Sequence, residues 1–438
     1  MFTFILLGKS ITCYLGVDGN DFILNGKHKD LSADEIYGPI CTPVFGRGIV
    51  YDCPNHKFME QKKFVKYGLT TRALESYVPM ISQEVKDYVS ENSAFQGQAG
   101  VIDVTDAVSQ ITILSAARSL QGKEVRKRLT AGFADLYHDL DGGFSPINFV
   151  IPWAPLPRNR RRDAAHAKMN AVYTEIINTR RTSGEEMGAD MIWNLMSCTY
   201  KDGTPLPDTE IANMMITLLM AGQHTSASSV SWILFHLASR PDITEELYQE
   251  QLNALSHGDG KLPPLINDDL AKLPLLKCVI KETLRCHNSI HSVMRKVKNP
   301  LSIPGTDYII TPDKVMLASP AMTMMDERHF REAQCWDPHR WDNNVGGEED
   351  EADAEGAGAN SLGKGTRNPY LPFGAGRHRC IGEKFAYVNL GTIVASLVRE
   401  FKFFTLDGKK SVPATDYANM FSCPMRPGTV RWERRQKQ

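Results

Sequence analysis

Phe373-Gly374-Ala375-Gly376-Arg377-His378-Arg379-Cys380-Ile381-Gly382, near the C-terminus, is the stretch that decides the fold. It sets one cysteine in a glycine-bracketed loop, directly after two arginines and a histidine. A thiolate must be deprotonated before it ligates a metal, and neighbouring cations lower a thiol's pKa. Glycines let the backbone approach a flat cofactor closely and adopt positive φ. Arg377, His378 and Arg379 suit carboxylates on such a cofactor. A lone cysteine in a glycine-rich turn is more often a buried structural thiol. Here Phe373, Gly374, Gly376, His378 and Gly382 keep a set spacing about Cys380, and a helix-like run, Glu383-Lys384-Phe385-Ala386-Tyr387-Val388, follows at once.

Upstream, the pattern is mainly helical. Apolar residues recur at three- and four-residue spacing from Leu69 to about Leu195, as in Ala73–Val78 and Asp163–Met169. Ile151-Pro152-Trp153-Ala154-Pro155-Leu156-Pro157 interrupts this run, because proline removes a donor and ends helices. A long helix is predicted from Asp208, read as its N-cap, to Arg240, just before Pro241. At the usual rise it is roughly 50 Å long, enough to cross a large domain. At the N-terminus, a strand pair turning near Gly8-Lys9 leads into a helix at Gly19–Asn25. Pro39, Pro43, Gly46, Gly48 and Pro54 mark an irregular stretch after it. Leu301–Leu317, broken by Pro304-Gly305 and Pro312-Asp313, reads as small hairpins. The acidic, low-complexity segment 346–360 reads as a disordered surface insertion. The sum is one mainly α domain spanning residues 1–438, with a small β portion.

Composition narrows the function. A net charge of −1 gives no support for a nucleic-acid partner. Nine cysteines without a Cys-x-x-Cys pair make a zinc site a poor reading, and their odd number and scatter fit reduced thiols facing the cytosol. The apolar opening Met1–Gly8 is far shorter than the ~20 residues of a spanning helix.

The Cys380 loop resembles the haem-binding loop of the cytochrome P450 haem-thiolate monooxygenases. The resemblance implies haem b with Cys380 as the axial iron ligand. It extends to Glu282 and Arg285 in Lys281-Glu282-Thr283-Leu284-Arg285, three apart on one helix face. Alone these are a surface ion pair; by resemblance they form a buried structural network with Arg340 of Trp336-Asp337-Pro338-His339-Arg340-Trp341. It extends also to Met220-Ala221-Gly222-Gln223-His224-Thr225-Ser226 in the long helix, otherwise an apolar helix with a polar stripe. Glycine and consecutive polar residues there carry a propensity cost, so a local reason is expected. In the family this segment activates oxygen, and most members place a carboxylate before the threonine.

The pair His224-Thr225 points instead to the sterol 14α-demethylase branch, as do Tyr51–Phe64, Ser289–Val297 and Pro369–Phe373. That branch implies catalytic roles for Thr225 and His224 in proton management. It implies Tyr37, Tyr51, Lys62, Arg295 and His378 at the haem propionates, with Phe373, Gly374 and Gly382 in the cofactor loop. It implies a sterol cavity walled by Phe45, Val50, Tyr51, Phe58, Phe149, Thr217, Met220, Ala221, His224, Ile290, His291 and Val293, mostly apolar as a flat hydrocarbon requires. The expected partners are an NADPH-dependent flavoprotein reductase, docking near Lys364, Arg367, Arg379 and Lys384, a sterol such as lanosterol or eburicol, and azole inhibitors. The expected location is the cytosolic face of the endoplasmic reticulum membrane. The family's membrane helix, proline-rich hinge and an early helix and loop at the substrate entrance are expected ahead of this chain's first strand. Two rivals are a monooxygenase of another substrate and a non-catalytic haem, sterol or azole binder.

Overall fold

The structure is a computed structural model; it describes residues 1–6, 8–128, 131–183, 188, 190–256, 260–344, 368–408, 411–417 and 420–436. The acidic segment expected at 346–360, together with Lys364 and Arg367, lies outside the described residues.

The helix Asp208–Ser239 runs through the centre of the fold. From Ser226 to Ser239 every residue is buried, as expected of a helix packed on all sides. Helices Val104–Ala116, Pro157–Ser183 and Glu383–Glu400 pack against it. Asp208 is the first helical residue rather than the cap; Pro207 occupies that position and contributes no side-chain hydrogen bond. The first-turn acids Asp208 and Glu210 still favour the positive end of the helix dipole.

The predicted irregular stretch is corrected. Asp34–Phe45 is a helix that contains both Pro39 and Pro43. Ile36, Ile40, Cys41 and Val44 bury one face of it, and that packing outweighs the local penalty of proline. The N-terminal strand pair forms as expected, Phe2–Leu6 against Lys9–Cys13, turning at Gly8 with φ +76°. The first of the small hairpins also forms, Leu301–Ser302 with Ile309–Ile310. The second does not: Val315–Ala318 joins a five-stranded sheet instead, ordered Phe2–Leu6, Lys9–Cys13, Val315–Ala318, Val293–Val297, Leu31–Ser32. Its pairing with Lys9–Cys13 is parallel, so distant chain segments had to meet before it could form. Strand Ala99–Asp103, inside the region read as helical, pairs with Thr429–Arg434 near the chain's end.

Two features position the site. Leu371 and Ala375 of the Cys380 loop pack with Leu24 and Val293, seating the loop on the first helix, Gly16–Leu24, and the large sheet. Helix Glu383–Glu400 then leaves the loop into the core with Leu390, Ile393, Val394 and Leu397 buried.

Candidate functional site

The Cys380 loop is held by its own backbone. Gly374 N–H donates to Leu371 O (3.1 Å), Arg379 N–H to Gly376 O (3.1 Å) and Cys380 N–H to Phe373 O (3.0 Å). Gly374 and Gly376 have φ of +68° and +65°. A Cβ on Gly376 would lie 2.3 Å from the Leu24 carbonyl oxygen, so only glycine fits that crossing. The loop presents Cys380 as an exposed side chain, although it is crowded by protein, as a group facing an interior hollow is. Its pKa corrects the sequence expectation. Burial pushes the thiol up, and this outweighs the pull of the Gly382 N–H, Lys62 and Arg379; Glu383 adds to the rise.

Around the loop the fold gathers cations and phenols from four separate segments. Lys62, on helix Asn55–Tyr67, donates to the carbonyls of Arg377 (2.7 Å) and Arg379 (2.9 Å). Arg295, on strand Val293–Val297, is buried and donates to the Met294 carbonyl at 2.8 Å. Tyr37 accepts a hydrogen bond from Met294 N–H (2.9 Å), and its ring meets Tyr51 with centroids 5.5 Å apart. His378 stacks between Tyr51 (5.9 Å) and Phe58 (5.3 Å). Tyr51 follows Val50, whose φ of +49° is unusual for a β-branched residue and marks a strained turn.

These groups repel one another. Burial lowers the Lys62 pKa to about 8, with the nearby Cys380 opposing the shift and Arg379 reinforcing it. Burial, then Arg295, Lys62 and Arg377, push His378 down to about 2. Among the described residues, no carboxylate lies within ion-pair distance of Lys62, Arg295, Arg377 or His378. Asp34 is the carboxylate whose charge reaches Arg377 and Arg295, and gathered cations with so little counter-charge are costly unless an anion joins them. A cofactor carrying two carboxylates, bound by a thiolate, fits this donor set; haem has that chemistry.

Far from Cys380 in sequence lies the centre of the long helix, Asp208–Ser239. Met220 and Gln223 are buried but Ala221 between them is exposed. Thr225 donates to the Ala221 carbonyl at 3.0 Å, one turn back. His224 Nε2 lies 2.6 Å from Asp141 Oδ1, and its ring stacks on Phe421 at 5.2 Å and 13°. Tyr137 also meets His224, at 5.6 Å. Asp141, Phe421 and Tyr137 escaped the sequence reading, for they come from distant segments and carry no local signal.

The other residues assigned to the sterol wall are placed less tightly. Thr217 donates to Asn213 O at 2.9 Å, one turn from Met220. Phe45 contacts Phe144 at 5.8 Å, which in turn contacts Phe421 at 5.7 Å. His291 meets Tyr417 at 5.6 Å, and burial lowers its pKa. Val293 packs beneath the Cys380 loop. Ile290 is exposed, and Phe149 is half-buried on the main core with Phe45, Val50 and Tyr51. Phe373 contacts Tyr387 at 5.7 Å.

The structural network is fully satisfied. Glu282 Oε1 accepts from Arg285 (2.8 Å), Arg340 (2.9 Å) and the Asp337 N–H (3.0 Å). Glu282 Oε2 accepts from Arg285 (2.9 Å) and Trp341 Nε1 (3.0 Å). Arg285 spends its remaining donors on the carbonyls of Met324, Ala333 and Cys335. Both Glu282 and Arg285 side chains are fully buried.

A profile of the cytochrome P450 family matches residues 1–432. The chain belongs to the cytochrome P450 family. Among curated P450 relatives, a sterol 14-alpha demethylase of Aspergillus flavus is 62% identical over 99% of this chain and 85% of its own length. An eburicol 14-alpha-demethylase of Penicillium italicum is 57% identical over 99% of this chain and 85% of its own. Among solved P450 structures, retinoic acid-bound cyanobacterial CYP120A1 superposes with a TM-score of 0.82 at 20% identity, covering 99% of this chain and 91% of that one. No helix among the described residues is long and apolar enough to cross a membrane.

Proposed function

We propose that this P450 is a sterol 14α-demethylase that removes the 14α-methyl of lanosterol or eburicol as formate, in three successive oxidations driven by NADPH and dioxygen. One observation carries the reading: His224-Thr225, the pair that departs from the usual carboxylate–threonine of the family, sits mid-helix with His224 against Asp141. The whole-length likeness to proteins named for this reaction supports it.

Haem bound through Cys380 would supply dioxygen activation. This chain's residues do the rest. The Gly382 N–H supports the sulfur as an acceptor, and Lys62, Arg295, Tyr37, Tyr51 and His378 would hold the two carboxylates. Arg377 reaches the Gly26 carbonyl at 2.5 Å, tying the loop to the turn that follows helix Gly16–Leu24. Phe45, Val50, Phe58, Phe149, Met220, Ala221, Ile290 and Val293 would offer the sterol an apolar wall, with Thr217 and His291 as polar points. Asp141 is about one-third exposed, so it can exchange protons with solvent and pass them to His224. Thr225 can then deliver a proton once its hydroxyl turns from the Ala221 carbonyl. Electrons would come from a membrane flavoprotein reductase at the endoplasmic reticulum. Of the docking residues among the described ones, Lys384 is exposed and Arg379 is paired with Glu383 at 2.9 Å. Azoles would compete for the same cavity.

The test is direct. Purified protein with haem, titrated with lanosterol and with eburicol, should show a sterol-dependent shift of the haem spectrum. Turnover with a reductase should then yield demethylated sterol. Cys380→Ala should lose the long-wavelength ferrous–carbon monoxide band. A normal thiolate band without any sterol response would point to another substrate, and sterol binding without turnover would point to a non-catalytic binder.

A further inference from the structure

A cavity of about 950 Å³ borders the central helix at His224, Ala227 and Ser228 and opens between Arg161 and Arg426. Both arginines are about 60% exposed along their side chains, at 61% and 60%. Of the residues assigned to the sterol wall, only His224 borders this cavity. On that assignment the cavity is distinct from the sterol's and borders it at one imidazole.

Its wall is unusual. Three buried hydroxyls, of Thr105, Tyr137 and Ser145, have no hydrogen-bond partner, and all three line this one cavity. A buried polar group without a partner is costly, so three around one space indicate a polar occupant. All three can donate. Two arginines at the rim are paired, Arg161 with Asp139 at 3.2 Å and Arg426 with Asp106 at 2.8 Å, and His224 Nε2 lies 2.6 Å from Asp141 Oδ1. Arg158 also lines the opening, as does Asp416. The lining thus suits a small, hydrated molecule rich in acceptors.

The reaction assigned above makes one such molecule. Each demethylation converts a methyl group of an apolar substrate into formate, which is small, anionic and poorly matched to an apolar wall. We propose that formate leaves through this cavity, past His224 and along the hydroxyls of Thr105, Tyr137 and Ser145, while the sterol uses the apolar side. The inference rests on the demethylase reading, and its test has one arm that does not.

That arm uses formate alone. Saturation-transfer NMR on the formate proton in the presence of haem-loaded protein should show transfer in the wild type. Thr105→Phe, which fills the cavity, should lose the transfer, and Thr105→Val, which removes only the hydroxyl, should weaken it. The thiolate-type ferrous–carbon monoxide band verifies that each variant is folded. In the second arm, turnover by Thr105→Phe should fall severalfold with an unchanged midpoint for the sterol-induced spectral shift. Absence of formate transfer in the wild type would mean that the cavity holds water alone, and would overturn the proposal. So would full turnover in Thr105→Phe, or a sterol midpoint that moves with it, since the cavity would then belong to the sterol's own route. If the wild type transfers saturation to formate but makes no demethylated sterol, the demethylase reading fails and the small-carboxylate site stands.

Discussion

Gly376 shows how much one residue contributes to this site. Its φ of +65° and the 2.3 Å approach of a would-be Cβ to the Leu24 carbonyl leave no room for a side chain. Gly376→Ala should lose about 1–2 kcal/mol from the left-handed backbone alone. The clash with Leu24 is backbone against backbone, so the loop must also move, and Cys380 with it. The expected outcome is reduced haem content in the purified variant, read from the ratio of Soret to protein absorbance; an unchanged ratio would show that the loop tolerates the shift. The glycines of this loop were legible in the sequence as a spacing. Why Gly376 must be glycine was not, because Leu24 approaches it from the far end of the chain.

At the scale of elements, the helix Pro274–Cys286 is joined to the segment after it by Glu282. A fully buried carboxylate that accepts from Arg285, Arg340, Trp341, Cys286 and the Asp337 N–H is a weak source of net stability when intact. It is a strong liability when cut, for Arg285 would be left buried and uncompensated. Glu282→Ala should therefore destabilise the protein by about 3–5 kcal/mol, measured by denaturant unfolding, and should lower soluble yield. A loss below about 1 kcal/mol would show that the segment bearing Arg340 and Trp341 relaxes to hydrate the arginine. The Glu-x-x-Arg spacing was visible in the sequence. Arg340 entered through the family resemblance, whereas the convergence of Trp341 and three backbone carbonyls was not legible, since those contacts span dozens of residues.

For the whole molecule, one buried cluster predicts an acid-sensitive core. His236 and His287 are hydrogen-bonded through their Nε2 atoms at 2.8 Å, one imidazole donating to the other, between the central helix and the end of helix Pro274–Cys286. His287 stacks on Trp232 at 3.7 Å and His236 on Trp336 at 4.5 Å. Burial, with a smaller push from Arg285, lowers His287 from 6.5 to about 3, and burial, then His287 and Arg240, lower His236 well below its ordinary value. In this window the unfolded chain binds more protons than the native one. Their contribution is thus fully present above about pH 6.5 and is lost as the pH falls toward about 3. Each histidine should add a slope of up to about 1.4 kcal/mol per pH unit to the acid limb of the stability curve. Replacing both, in His236→Gln/His287→Gln, should flatten that limb. A limb that keeps its slope in the double variant would assign the acid sensitivity elsewhere.

What the sequence by itself determined is local: the thiolate loop, the helix that carries His224 and Thr225, the Glu282–Arg285 pair and the mainly α architecture. Each depends on residues within a few positions of one another, whose spacing and backbone preferences act before the chain is folded. Tertiary structure alone decided what those pieces face. It turned a proline-bearing stretch into a helix through one buried face. It raised the Cys380 pKa where neighbouring cations suggested a fall, because desolvation depends on everything packed around the sulfur. It brought Asp141 and Phe421 to His224, and Thr105, Tyr137 and Ser145 to one cavity. Burial and long-range contact are properties of the packed chain as a whole, and no window of sequence contains them.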